Sequence, residues 1–172
     1  MEEIVFSKYT IDFTRAALEF CVFVEKVKES DKKTFVDNMT KVLPLLYLKV
    51  SIIPDIPQYY ESILESKVSE SFYTQVENNL SELMGNDNLF LETFHPDIKL
   101  SEFPVAAKIS ENLADIYQDL GNYIAIFKNG QKETMNDALT VCIENFKKYW
   151  GQRLVNTLRA LHDIKYKSEI EE

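Results

Sequence analysis

Three sets of side chains in this sequence could do chemistry. In "SENLADIYQDL", Glu111, Asp115 and Asp119 recur every fourth residue, which lines three carboxylates along one face of a helix. A row of this kind can face water, bridge to cations on a neighbouring helix, or hold Mg²⁺ and act as acid and base. Like charges at that spacing repel by roughly 0.2–0.5 kcal/mol per pair, so a compensating cation is expected nearby.

The second set lies near the C-terminus, where Asn145, Gln152, Asn156 and Arg159 share a side opposite the stripe that contains Trp150. An exposed face would normally carry more lysine and glutamate. Amides and a guanidinium instead pair with other helices or hold a ligand, and arginine grips a carboxylate at two points. The expected pairing is Arg153 or Arg159 with Asp115 or Asp119.

The third set is weaker. Glu92 and His95 spell E-x-x-H, half of a helical di-metal site that needs the pair twice and two more glutamates. The other histidine, His162, has Arg159 three residues before it, and Pro96 ends any helix at the would-be ligand. Lys49 sits in the apolar run "LPLLYLKVSIIP". Desolvated, it would be a base or nucleophile; the plainer reading is a stem along the core with its ammonium reaching a carboxylate.

Other function classes fall away. No glycine-rich phosphate loop, nucleophile elbow or cysteine-protease signature is present, and the paired acidic motifs of helical nucleotide pyrophosphohydrolases are missing. A helical ribonuclease of the R-x4-6-H type would find Arg159 too close to His162 and Arg153 too far. With 19 Lys and Arg against 28 Asp and Glu, the net charge is −9, which repels phosphate backbones and argues against nucleic acid. No segment reaches the ~20 apolar residues a bilayer span needs. The start, "MEEIVFSKYT", has acids where a secretory signal needs bases. No cofactor, metal or membrane is expected, and the chain reads as cytosolic. Cys21 and Cys142 lie inside apolar patterns and read as buried thiols.

Helices must position these groups, because four glycines and five prolines leave little material for hairpins. The apolar period predicts helices over about 11–28, from 32 to before Pro54 with a kink or restart at Pro44, 70–84, 111–128 and 133–165. Ser30 or Asp31, Ser69 and Ser110 are the expected caps, and Gly85 and Gly130 the stops. The stretch after Pro44 is apolar nearly all round, which predicts an innermost rod. Residues 86–108 read as a short helical turn and a long connection of the kind that borders sites. Residues 166–172 read as a solvated tail. The whole is expected to be one all-α domain, an irregular bundle of five or six helices with the second and last central.

The segments "LPLLYLKVSIIP", "ISENLADIYQDL" and "NDALTVCIENFKKYWGQRLVNTLRALH" together resemble an all-helical family, chiefly from Bacteroidetes, that is known only as a domain of unknown function. The resemblance implies a soluble bacterial helical protein and brings no activity or cofactor. It groups Asp115, Gln118, Asp119, Trp150, Gln152, Asn156, Arg159 and His162 as a candidate polar site. Two functions follow as expectations. One is a non-catalytic binding or adaptor protein, with a protein partner or self-association through an apolar patch. The other is a small-ligand or metal-assisted pocket using Asp115 and Asp119, with Arg159 and Gln152 holding an anion.

Overall fold

A computed structural model describes residues 3–92 and 105–170, with side chains to 167. Helix α1 (Lys8–Glu25) starts where Ser7 accepts a hydrogen bond from the Thr10 amide. It buries Phe13, Ala17, Phe20 and Val24 at helical spacing. Asp31 caps α2 (Lys32–Ser51) through the Thr34 amide at 2.8 Å. Ser69 caps α3 (Glu70–Met84), which ends at Gly85 with φ +54°, a conformation that favours glycine.

Two short strands follow, β1 (Leu89–Leu91) and β2 (Ala106–Lys108), antiparallel with Leu89 opposite Lys108. The sequence did not disclose this ribbon. Helix α4 (Ile109–Asn129) begins directly after it. Ser110 is not its cap; it lies inside the first turn, and the remote Asn88 does the capping, its Oδ1 accepting the Ser110 amide at 2.9 Å. Helix α5 (Lys132–Asn145) runs through a π-turn at Phe146–Trp150 into α6 (Gly151–Ile170), so α6 continues past Lys165 and into the expected tail.

The all-α class and the number of rods are as expected, but the centre is not. Helix α4 packs against α1, α3, α5 and α6 and buries Ile109, Leu113, Ile116 and Leu120 completely. Helix α2 packs chiefly on α1 and α6 and leaves Leu45, Leu48 and, just past its end, Ile52 between about a third and a half exposed. It is therefore a flanking rod with a bare apolar row, not the innermost one. All-round greasiness misled because it cannot distinguish a surrounded helix from one that leaves an apolar face open. Nor does α2 restart at Pro44; the ring lies on the exposed side, where water can serve the carbonyl it leaves unpaired.

Residues 52–69 form no helix. This strap is held by side chains: Asp137 accepts the Tyr60 and Ser62 amides at 2.9 and 2.7 Å, and Asn122 Oδ1 accepts those of Lys67 and Val68. Glu61, between the two amides on Asp137, has φ +57°. Further on, Val68 presses against α4 where a side chain at Gly121 would meet it at 2.8 Å.

Candidate functional site

The polar residues of α4 and α6 meet beside the ribbon. A π-turn occurs where one residue more than the α-helical count occupies a turn, and such turns recur at functional sites. Here the Gly151 amide bonds back to the Phe146 carbonyl, and a Cβ on residue 151 would lie 2.5 Å from that oxygen. Glycine is the residue that permits the register. Trp150 lies fully buried in consequence, its ring 4.8 Å from Phe146 and its Nε1 donating to the Cys142 carbonyl at 3.0 Å. Tyr149, Gln152, Arg153 and Asn156 line the opposite side of the rod.

That side forms one wall of a cleft of about 480 Å³, whose other walls are the first turns of α4 and the ribbon. Two of its charged groups, Asp115 and Arg153, engage each other. Asp115 accepts the Tyr73 hydroxyl on Oδ1 at 2.6 Å and faces Arg153 Nε from Oδ2 at 3.2 Å. Burial above all, then the neighbouring Asp115, pushes the Tyr73 phenol far above its ordinary range, so it stays a donor. Asn156 Nδ2 donates to Glu92 Oε1 at 2.8 Å, and Gln152 Nε2 donates to Asn156 Oδ1 at 3.0 Å. Glu111 faces Lys108 at 3.9 Å, both about half exposed, a weak pair. Asn112 differs. It is among the residues that line the cleft and is 6 % exposed, and its buried Nδ2 has no hydrogen-bond partner among the described residues.

A family model described as a domain of unknown function, DUF5063, matches residues 4–167. The chain belongs to the DUF5063 family. It is also similar to the crystal structure of protein BF1032 from Bacteroides fragilis, a structural-genomics target: the two are 41% identical, the match covers 95% of this chain and 96% of that one, and the TM-score is 0.84. Comparison with curated proteins finds no match. The helical architecture is thus shared with the Bacteroides fragilis protein, and neither finding assigns an activity.

Within this DUF5063 chain the acidic row does not act as a unit. Asp115 faces the cleft, whereas Asp119 lines a separate cavity of about 170 Å³ and accepts from Asn145 Nδ2 at 2.9 Å. Burial foremost holds the Asp119 carboxyl above its usual range. Among the described residues, no group of three His, Cys, Asp or Glu side chains is arranged to hold a metal ion. Arg153, not Arg159, pairs with Asp115. Arg159 instead donates from Nη2 to the Leu91 carbonyl at 2.6 Å and anchors β1. Gln118 is exposed on α4. His162 is exposed, with its ring 4.6 Å from Tyr166. Lys49 reaches Asp12 on α1 at 3.7 Å. Glu92 belongs to the cleft, while His95 lies outside the described residues.

Sequence reading missed Tyr73, Lys148, Tyr149 and Asn112. The first three gave no signal, since their placement depends on the fold and the π-turn. Asn112 did give one: three residues after Ile109 and four before Ile116, it puts an amide on the core stripe of α4. A second groove, of about 400 Å³ between α1, α3 and α4, has exposed Leu18, Val22 and Phe72 along it, and its carboxylate, Glu25, accepts the Tyr117 hydroxyl at 2.7 Å.

Proposed function

We propose that this protein is a non-catalytic binding protein of the bacterial cytosol, acting through the cleft between α4, α6 and the ribbon. The observation that carries the reading is the state of Asp115. A general base needs a free lone pair aimed at the proton it takes, and here one oxygen is held by Tyr73 and the other is neutralised by Arg153. Glu92 is engaged on one oxygen, Oε1, by Asn156. The cleft offers hydrogen bonds and charges of both signs, a set suited to gripping a ligand. Its volume falls in the ~300–1,000 Å³ range typical of small-ligand sites.

The absence of a membrane-length apolar helix among the described residues and the acidic balance of the chain support the cytosolic part of the proposal. The test is a thermal-shift screen with amino acids, short peptides, nucleotides, sugar phosphates and divalent metals, because a ligand that binds the folded state raises its apparent stability. A saturable shift with a compound recovered unchanged is the expected result. Conversion of that compound to a product would contradict the non-catalytic reading.

A further inference from the structure

We infer that the groove between α1, α3 and α4 is the contact face of a homodimer, in which α1 of one copy lies antiparallel along α1 of the other. This groove, of about 400 Å³, shares no lining residue with the cleft. Helix α1 has two faces. Phe13, Ala17, Phe20 and Val24 go to the core, while Ile11, Leu18 and Val22 stay 37 to 50 % exposed. With the exposed Arg15 and Glu25 they recur at steps of four, three, four and three along the helix, the spacing by which one helix packs lengthwise on another. Leu18, Val22 and Glu25 form one wall of the groove, and the exposed Phe72 stands on α3 with its ring 6.0 Å from that of Tyr117. A ridge of leucine and valine beside an apolar groove is a surface that a second copy can fill with the same ridge.

Charge selects the second copy and its direction. In an antiparallel pair centred midway between Leu18 and Val22, each Leu18 meets the other copy's Val22, and each Arg15 meets the other copy's Glu25, because both pairs are evenly placed about that centre. Parallel packing would instead set Arg15 on Arg15 and Glu25 on Glu25, which repel. Arg15 makes no ion pair among the described residues, and Glu25 accepts only the Tyr117 hydroxyl, on Oε1, so both charges are available to the other copy. Two chains of net charge −9 repel each other as wholes, and this row, with one charge of each sign, is a face across which they can meet. Ile11, Leu18, Val22 and Phe72 together bare on the order of 300 Å² per copy, below the ~800 Å² per partner of a standard interface. The dimer is therefore a transient one, formed and lost with concentration.

The test is sedimentation equilibrium of the full chain at protein concentrations up to about 1 mM. The mass is expected to rise from 20.0 kDa toward twice that value. Leu18→Asp changes a side chain that is already half exposed, so it should abolish association while the melting temperature of the dilute protein holds. Arg15→Glu and Glu25→Lys should each weaken association at least about tenfold, because the two-fold axis applies each change twice. An equimolar mixture of these two variants should associate again, since every contact between them once more joins opposite charges. Glu25→Gln keeps an oxygen for the Tyr117 hydroxyl and should still weaken association, which separates lost pairing from lost fold. A mass fixed at 20.0 kDa throughout would overturn the dimer and leave the groove to a different partner. Association indifferent to Leu18→Asp would move the contact to another face and overturn the proposal as well. Charge variants that associate as strongly as the parent, or a mixture that fails to associate, would overturn the antiparallel arrangement.

Discussion

Asp115 Oδ2 on α4 and Arg153 Nε on α6 face each other at 3.2 Å, and this pair joins the two helices that wall the cleft. Tyr73 adds α3 through its 2.6 Å bond to the other oxygen. One carboxylate thus ties three helices together.

Removing its charge should loosen that junction. Asp115→Asn is expected to lower stability by about 1 kcal/mol, given the strength of hydrogen bonds to charged groups and the partial exposure of the pair. Tyr73→Phe should cost a similar amount, and the double variant should cost less than the two together, because both remove one shared bond. Urea denaturation of the three variants checks this. Strict additivity would show that the contact is not energetically real.

The π-turn reverses an ordinary expectation. Glycine to alanine inside a helix normally stabilises by about 1 kcal/mol. At Gly151 the added Cβ would meet the Phe146 carbonyl oxygen at 2.5 Å and the Phe146 ring at 2.8 Å. Gly151→Ala should therefore destabilise, by about 1–3 kcal/mol as overpacked sites do. The sign of the change in melting temperature decides the matter.

Asp119 makes a pH-dependent prediction. Burial raises its carboxyl pKa, and neither the Asn145 hydrogen bond nor the field of Arg153 reverses that. A carboxyl whose folded pKa lies above its unfolded value of ~3.9 destabilises the fold while ionised, and the penalty eases as pH falls through the folded value. Asp119→Asn should then be at least as stable as the parent at pH 7, and that margin should shrink toward pH 4. Denaturation midpoints at both pH values test it. A variant markedly weaker at pH 7 would mean that the Asn145 bond outweighs burial.

The strap over residues 52–69 should depend on Asp137. Burial alone would raise this carboxyl, yet the amides of Tyr60 and Ser62 hold it below the usual range. Asp137→Ala would orphan both amides at a cost of about 2–4 kcal/mol, on the scale of hydrogen bonds to charged groups. Hydrogen exchange should accelerate at Tyr60 and Ser62 first. Unchanged protection there would show that the strap is held by packing instead.

These elements also show what a sequence can disclose. Ser69 with Gly85 bounded α3 to the residue, because a cap and a left-handed stop are both local chemistry. The stripe of α4 was legible for the same reason. The position of α2 was not, since its apolar run says nothing of whether a neighbour covers Leu45, Leu48 and Ile52. Nor was the ribbon, whose strands are three residues each and pair across the 92–105 connection. Of the candidate site, charge and spacing narrowed the ion pair to Arg153 or Arg159 with Asp115 or Asp119, and only the fold selects Arg153 with Asp115. The separation of Asp119 from Asp115, the diversion of Arg159 to a backbone carbonyl and the burial of Asn112 all depend on how the rods are rotated. The π-turn sets part of that rotation, and it leaves no mark in the sequence beyond a glycine.

The most direct measurement is a titration of the ¹⁵N-labelled protein with a compound that raises its melting temperature in the screen, followed by two-dimensional NMR. The cleft reading predicts that the Asn112 side-chain amide pair and the Arg153 Nε–H signal shift together and saturate at one equivalent, while the amides of Leu45 and Leu48 on α2 stay still. Saturable shifts confined to α2, or none at Asn112 and Arg153 with any compound that stabilises the protein, would contradict it.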